Sequence, residues 1–163
     1  MTYGGGLPTF SYSTIDPPVN STALAPGSLT GAPEIQTTAT SASGVGIYPI
    51  TISQGSLQIT GPTAIDYEFS PVAGTLRVEP APLIVTPVSI SIKAGTQIPP
   101  LTYQISGFVN NDPPSVVTGS PGLWTQTGPT PPAGTYTIYS NRGSLQAANY
   151  DFIYATGTLT VTP

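Results

Sequence analysis

Apolar and polar residues alternate with a period of two along much of the chain. Ile47-Tyr48-Pro49-Ile50-Thr51-Ile52, Leu83-Ile84-Val85-Thr86 and Val88-Ser89-Ile90-Ser91-Ile92 read this way, as do Tyr136-Thr137-Ile138-Tyr139 and Thr158-Leu159-Thr160-Val161. A two-residue period sends successive side chains to opposite faces of a strand. The runs are rich in β-branched and aromatic residues, and Gly, Pro, Asn or Ser clusters bound them. This is the signature of short strands joined by tight turns, as in an all-β sandwich or barrel. No long window escapes Pro and Gly with apolar spacing of three and four, so no amphipathic helix is expected.

The runs come in two sets. Gly31-x-Pro33 recurs as Gly119-x-Pro121, Gly46-x-Tyr48-x-Ile50 as Gly134-x-Tyr136-x-Ile138, and Gly55-Ser56-Leu57-Gln58 as Gly143-Ser144-Leu145-Gln146, all at an offset of 88. Ten of the 28 positions in 31–58 and 119–146 are identical. Tyr67-x-Phe69 with Gly74-Thr75-Leu76-x-Val78-x-Pro80 recurs at an offset of 83 as Tyr150-x-Phe152 with Gly157-Thr158-Leu159-x-Val161-x-Pro163. Pro8-x-x-x-Tyr12 matches Pro99-x-x-x-Tyr103 at 91. Offsets change where loops absorb length while strands hold register. The chain therefore reads as two tandem copies, 1–80 and 81–163. Each has the length of an immunoglobulin-like β-sandwich of about seven strands. Pro80-Ala81-Pro82 at the junction restricts the backbone, and an end-to-end arrangement is expected. Gly4 aligns with Gly95, so the first copy starts without the strand that Ala81–Ile92 gives the second.

Composition narrows the function. Three Lys and Arg stand against seven Asp and Glu, with no His and no Cys. So few cations give no basic patch to neutralise phosphates, which argues against a nucleic-acid partner. The chain lacks an imidazole base, a thiolate nucleophile and the usual zinc, haem and iron–sulfur ligands. No cofactor and no catalytic residue is expected. No apolar run is long enough for a transmembrane helix, and the first residues do not resemble a signal peptide. The 18 Gly and 20 Pro fit a turn-rich fold. Gly4-Gly5-Gly6 ahead of Leu7-Pro8 reads as a flexible lead-in.

The ordered series of motifs resembles a known family. Leu101-Thr102-Tyr103, Ser106-Gly107-Phe108-Val109-Asn110-Asn111-Asp112, Gly134-x-Tyr136-x-Ile138, Ala148-Asn149-Tyr150-Asp151-Phe152 and Gly157-Thr158-Leu159-Thr160-Val161 follow the course of the bacterial MBG repeat, a mostly β, glycine-rich Ig-like module. The first copy is looser: Ile15-Asp16 stands in the Gly-Phe-x-Asn region, and Asp66 replaces the Asn. The resemblance implies tandem modules of large secreted or surface-attached, adhesin-like bacterial proteins, with no catalytic residues to carry over.

Few side chains invite chemistry. Asp66 and Glu68 share a strand face, and a solvated face beside core Tyr67 and Phe69 is the simpler account. Asp16 and Asp112 are calcium candidates, since each could join backbone carbonyls around a hard cation. An Asx-turn is the competing role. Lys93, the sole lysine, is a candidate for an isopeptide bond to Asn110, Asn111 or Asn149, which would require its burial. Trp124 aligns with Gln36 and so is not a repeat-defining position, which makes it a candidate sugar contact. The paired Tyr12/Tyr103, Tyr48/Tyr136 and Tyr67/Tyr150 recur with the fold and read as core or corner residues.

Three functions are therefore expected, in order. The first is a passive stalk or spacer of an extracellular bacterial surface or secreted protein, whose partners are neighbouring Ig-like repeats and cell-surface glycans or proteins. The second is a filament subunit completed by β-strand addition from Leu83, Val85, Val88, Ile90 and Ile92 or from Leu159 and Val161. The third is a carbohydrate-binding module.

Overall fold

The alternating runs become strands, except that Val88-Ser89 lie between two of them, and the computed structural model describes residues 1–14, 28–61 and 68–163. The chain forms two units: Met1 with Gly5–Val78, and Thr2–Gly4 with Glu79–Pro163.

The first unit contains β1 (Leu29–Thr30), β2 (Glu34–Thr37), β3 (Gly46–Ser53), β4 (Gln58–Ile59) and β5 (Gly74–Val78). The strand β3 lies between β2 and β5, and β1 pairs with β4; every pairing is antiparallel. Pro49 would ordinarily break a central strand. It sits just beyond the end of β2, opposite which Thr37 pairs with Ile50. Its carbonyl accepts the Thr37 hydroxyl at 2.9 Å. Leu57, Leu76, Val78 and Ala39 are buried.

The second unit contains β6 (Ala81–Pro87), β7 (Ile90–Lys93), β8 (Tyr103–Ser106), β9 (Gly122–Thr125), β10 (Gly134–Asn141), β11 (Tyr150–Tyr154) and β12 (Gly157–Thr162). These form a four-stranded sheet in the order β7-β12-β10-β9 and a three-stranded sheet in the order β11-β6-β8. Alternation now has a visible cause. In β6, Ala81, Leu83, Val85 and Pro87 are buried while Pro82, Ile84 and Thr86 face out; in β12, Gly157, Leu159 and Val161 are buried. Ile138, Leu159 and Val161 form a core against which Ile90, Ile92, Ile98, Leu101 and Tyr136 pack. Two pairings, β6 with β11 and β7 with β12, are parallel. The all-antiparallel sandwich template has none. The chain makes them by leaving the four-stranded sheet after β10, adding β11 beside β6, and returning as β12.

Both units are built on the same clasp. Gly31 and Gly119 have φ of 79° and 80°, in the left-handed region. A Cβ on either would lie 2.1 Å or 2.2 Å from the carbonyl oxygen of Ser56 or Ser144. That approach lets Ser56 N–H donate to Ala32 O at 3.0 Å, and Ala32 N–H donate to Ser56 Oγ at 3.1 Å. The second unit repeats it, with Ser144 N–H to Ser120 O at 2.9 Å and Ser120 N–H to Ser144 Oγ at 3.0 Å. The neighbouring turn is closed by the residue before each second glycine. Gln54 Nε2 donates to Leu57 O at 3.0 Å, and Arg142 Nε donates to Leu145 O at 3.1 Å. The corner tyrosines match as well. Tyr48 OH donates to Gly44 O at 2.9 Å and Tyr136 OH to Pro132 O at 3.0 Å, each four residues upstream.

Candidate functional site

The most elaborate polar cluster among the described residues lies in the second unit, around Asp112. Gly107–Asp112 leaves β8 and turns sharply. Asn110 and Asn111 both have positive φ, 54° and 58°, and Asp112 N–H donates to Val109 O at 2.9 Å. Two positive φ angles inside a four-residue hydrogen-bonded turn follow the type I′ pattern, and Asn tolerates them better than other side chains. The turn presents the Asp112 carboxylate to two tyrosines. Oδ2 accepts Tyr150 OH at 2.7 Å and Tyr3 OH at 2.9 Å. The Tyr150 hydroxyl gives its proton to Asp112 and accepts Val109 N–H at 3.1 Å. Hydrogen bonds to a carboxylate are shorter and stronger than neutral ones.

Aromatic edges complete the cluster. The Tyr3 ring meets Tyr150 at 5.4 Å and 86°, and Phe108 meets Tyr150 at 5.9 Å and 71°. Both are edge-to-face, the favoured arrangement of opposed ring quadrupoles. Tyr150 is 4% exposed and Tyr3 is 7% exposed. Burial pushes the Tyr150 hydroxyl above its ordinary pKa, and the neighbouring Asp112 carboxylate adds to the rise while the Val109 backbone bond opposes it.

This cluster changes several sequence expectations. Gly4 is no flexible lead-in: it follows a tyrosine locked against Asp112. Asp112, a calcium candidate, is engaged by two hydroxyl donors, and it closes the turn that Asn110 and Asn111 make. Asp16, the other calcium candidate, lies outside the described residues, as do Asp66 and Tyr67. Among the described residues no group of three or more acidic, His or Cys side chains gathers. Lys93 is exposed at the end of edge strand β7, without the burial an isopeptide bond requires. Sequence reading missed Tyr3. Its side-chain partners, Asp112 and Tyr150, are more than a hundred residues away.

Trp124 stands on β9 at the sheet edge, 41% exposed. It pairs across the strands with Tyr139 and stacks on it at 5.5 Å and 21°. The strand-pairing candidates are engaged within the unit. Leu83 and Val85 lie in β6, between β11 and β8, and Leu159 and Val161 lie in β12, between β7 and β10. Ile90 and Ile92 are on β7, the outer strand, and Val88 N–H donates to Thr102 O at 2.9 Å. Donation of β6 or β12 to another chain would require it to leave two neighbours. No described helix is long and apolar enough to cross a membrane.

Comparison with known proteins agrees with the repeat. No curated protein and no solved structure matches the chain. The family model described as the MBG domain (YGX type) matches twice, over residues 1–77 and 83–160. With Tyr3-Gly4 opening the first match and the same clasp built in both, the chain belongs to the MBG domain family, as two tandem copies.

Proposed function

We propose that this MBG pair is a non-catalytic structural module, a stalk or spacer of a bacterial cell-surface or secreted, adhesin-like protein. The observation that carries the reading is the parallel pairing of β7 with β12. The strand β12 closes the second unit, and β7 follows its opening strand β6, which is itself parallel to β11. Tension applied through the ends of the unit loads the ladder in shear, so its hydrogen bonds resist together instead of opening one by one. A spacer under load has use for such a ladder. Single-molecule pulling tests it. The second unit should unfold in one event at a force well above that which peels a hairpin, extending to a full contour of about 280–300 Å. Gradual, low-force extension would sink the reading.

A second reading, glycan contact, draws on the exposed Trp124–Tyr139 stack, since flat paired rings suit a sugar face. Titration of Trp124 fluorescence with bacterial and host glycans would test it, and a flat response would end it. The filament reading draws less support, because β6 and β12 already have neighbours on both sides.

A further inference from the structure

Tyr3 and Ala94 hold equivalent backbone positions in the two copies. Thr2 bridges Glu79 in parallel, as Lys93 pairs with Thr162. Tyr3 N–H donates to Glu79 O at 2.8 Å, as Ala94 N–H does to Thr162 O at 2.8 Å. Gly4 and Gly95 follow with φ of 76° and 79°. Their surroundings differ. A Cβ on Gly4 would meet Val109 Cγ2 at 2.5 Å, whereas one on Gly95 would meet nothing within 4 Å. Tyr3 is buried and Ala94 is exposed.

We propose that Asp112, Tyr150 and Val109 form a recognition site for a Tyr-Gly dipeptide, and that the partner it fits is the opening Tyr-Gly of an MBG copy. In this chain the occupant is Tyr3-Gly4, which packs as part of the second unit. Each feature of the dipeptide has a reader. The phenol hydroxyl meets the Asp112 carboxylate, and the phenol ring packs edge-to-face with Tyr150. The glycine is required twice, once for its positive φ and once because Val109 leaves no room for a Cβ. At the equivalent position the second copy carries Ala94-Gly95, which has neither the phenol nor a neighbour within reach of a glycine Cβ.

The test uses the full chain carrying Tyr3→Ala, observed by backbone amide NMR, with capped Thr-Tyr-Gly-Gly peptide as the probe. Saturable shifts at Val109, Asp112 and Tyr150 are expected below about 10 mM. A Thr-Phe-Gly-Gly peptide should bind at least about tenfold more weakly, the loss expected for a hydrogen bond to a charged group. Thr-Tyr-Ala-Gly should not bind. Absence of shifts with the tyrosine peptide, or equal binding of the phenylalanine peptide, overturns the proposal. If Tyr3→Ala does not fold, Tyr3→Phe in the full chain decides. Exchange of the Asp112 amide should then be several-fold faster than in the parent, and an unchanged rate overturns the proposal.

Discussion

Substituting Gly119 by Ala isolates the energetics of the clasp. Two costs are separable. The first is the left-handed backbone, about 1–2 kcal/mol for a residue with a Cβ. The second is collision with Ser144 O at 2.2 Å, which must push the Gly-Ser turn away. Displacing it strains or breaks the two hydrogen bonds between Ser120 and Ser144, worth about 1 kcal/mol each. The sum is about 3–4 kcal/mol. A domain of this size has a stability on the order of 4–13 kcal/mol, so the change removes a large share of it. Gly95 supplies the control: its φ of 79° nearly equals that of Gly119, yet a Cβ there meets nothing. Gly95→Ala should therefore cost only the backbone part, about 1–2 kcal/mol. Urea unfolding followed by Trp124 fluorescence reads the second unit directly. Equal costs for the two variants would refute the collision argument, and a cost below about 1 kcal/mol for Gly119→Ala would refute both parts.

Other expectations follow from single features. Leu83→Ala, at a fully buried position of β6, should cost about 2–5 kcal/mol in the same denaturation assay. Trp124→Ala should cost no more than about 1.5 kcal/mol, because it removes one side of an exposed stack. The raised pKa of Tyr150 gives a pH dependence with a definite sign. The folded state holds this proton more tightly than the unfolded chain, so its stabilisation is complete below the ordinary tyrosine pKa of about 10 and is lost as pH rises through the folded value. Thermal melts should therefore fall more steeply above pH 10 in the parent than in Tyr150→Phe, and parallel slopes would count against burial as the cause.

The sequence carried the parts of this fold that are local or duplicated. Gly31, Gly55, Ser56 and their twins at 119, 143 and 144 announced a turn because the same spelling recurs at one offset. The buried faces of β6 and β12 were visible as alternation. Nothing in β6 or β11 advertised that they would run parallel to each other, since period two is the same for either direction. Tyr3 was invisible for a similar reason. A side chain whose partners are Asp112 and Tyr150 leaves no local pattern, and the run of glycines after it suggested slack instead of close approach. Asp112 itself was legible only as a residue of a turn. What it does depends on which hydroxyls the fold brings to it.

The duplicated clasp also sets a problem for folding. The Gly31 arm could make the same two hydrogen bonds with Ser144 as with its own Ser56, so those bonds alone do not tell the hairpins apart. Distance along the chain does. Closing Ala32 onto Ser56 spans 24 residues, whereas closing it onto Ser144 spans 112. The longer loop costs about 1.4 kcal/mol more entropy, which favours the native closure about tenfold. Chain length therefore biases a tandem array whose copies share a turn toward closure within each copy, and the bias is lost for any copy whose own hairpin is damaged.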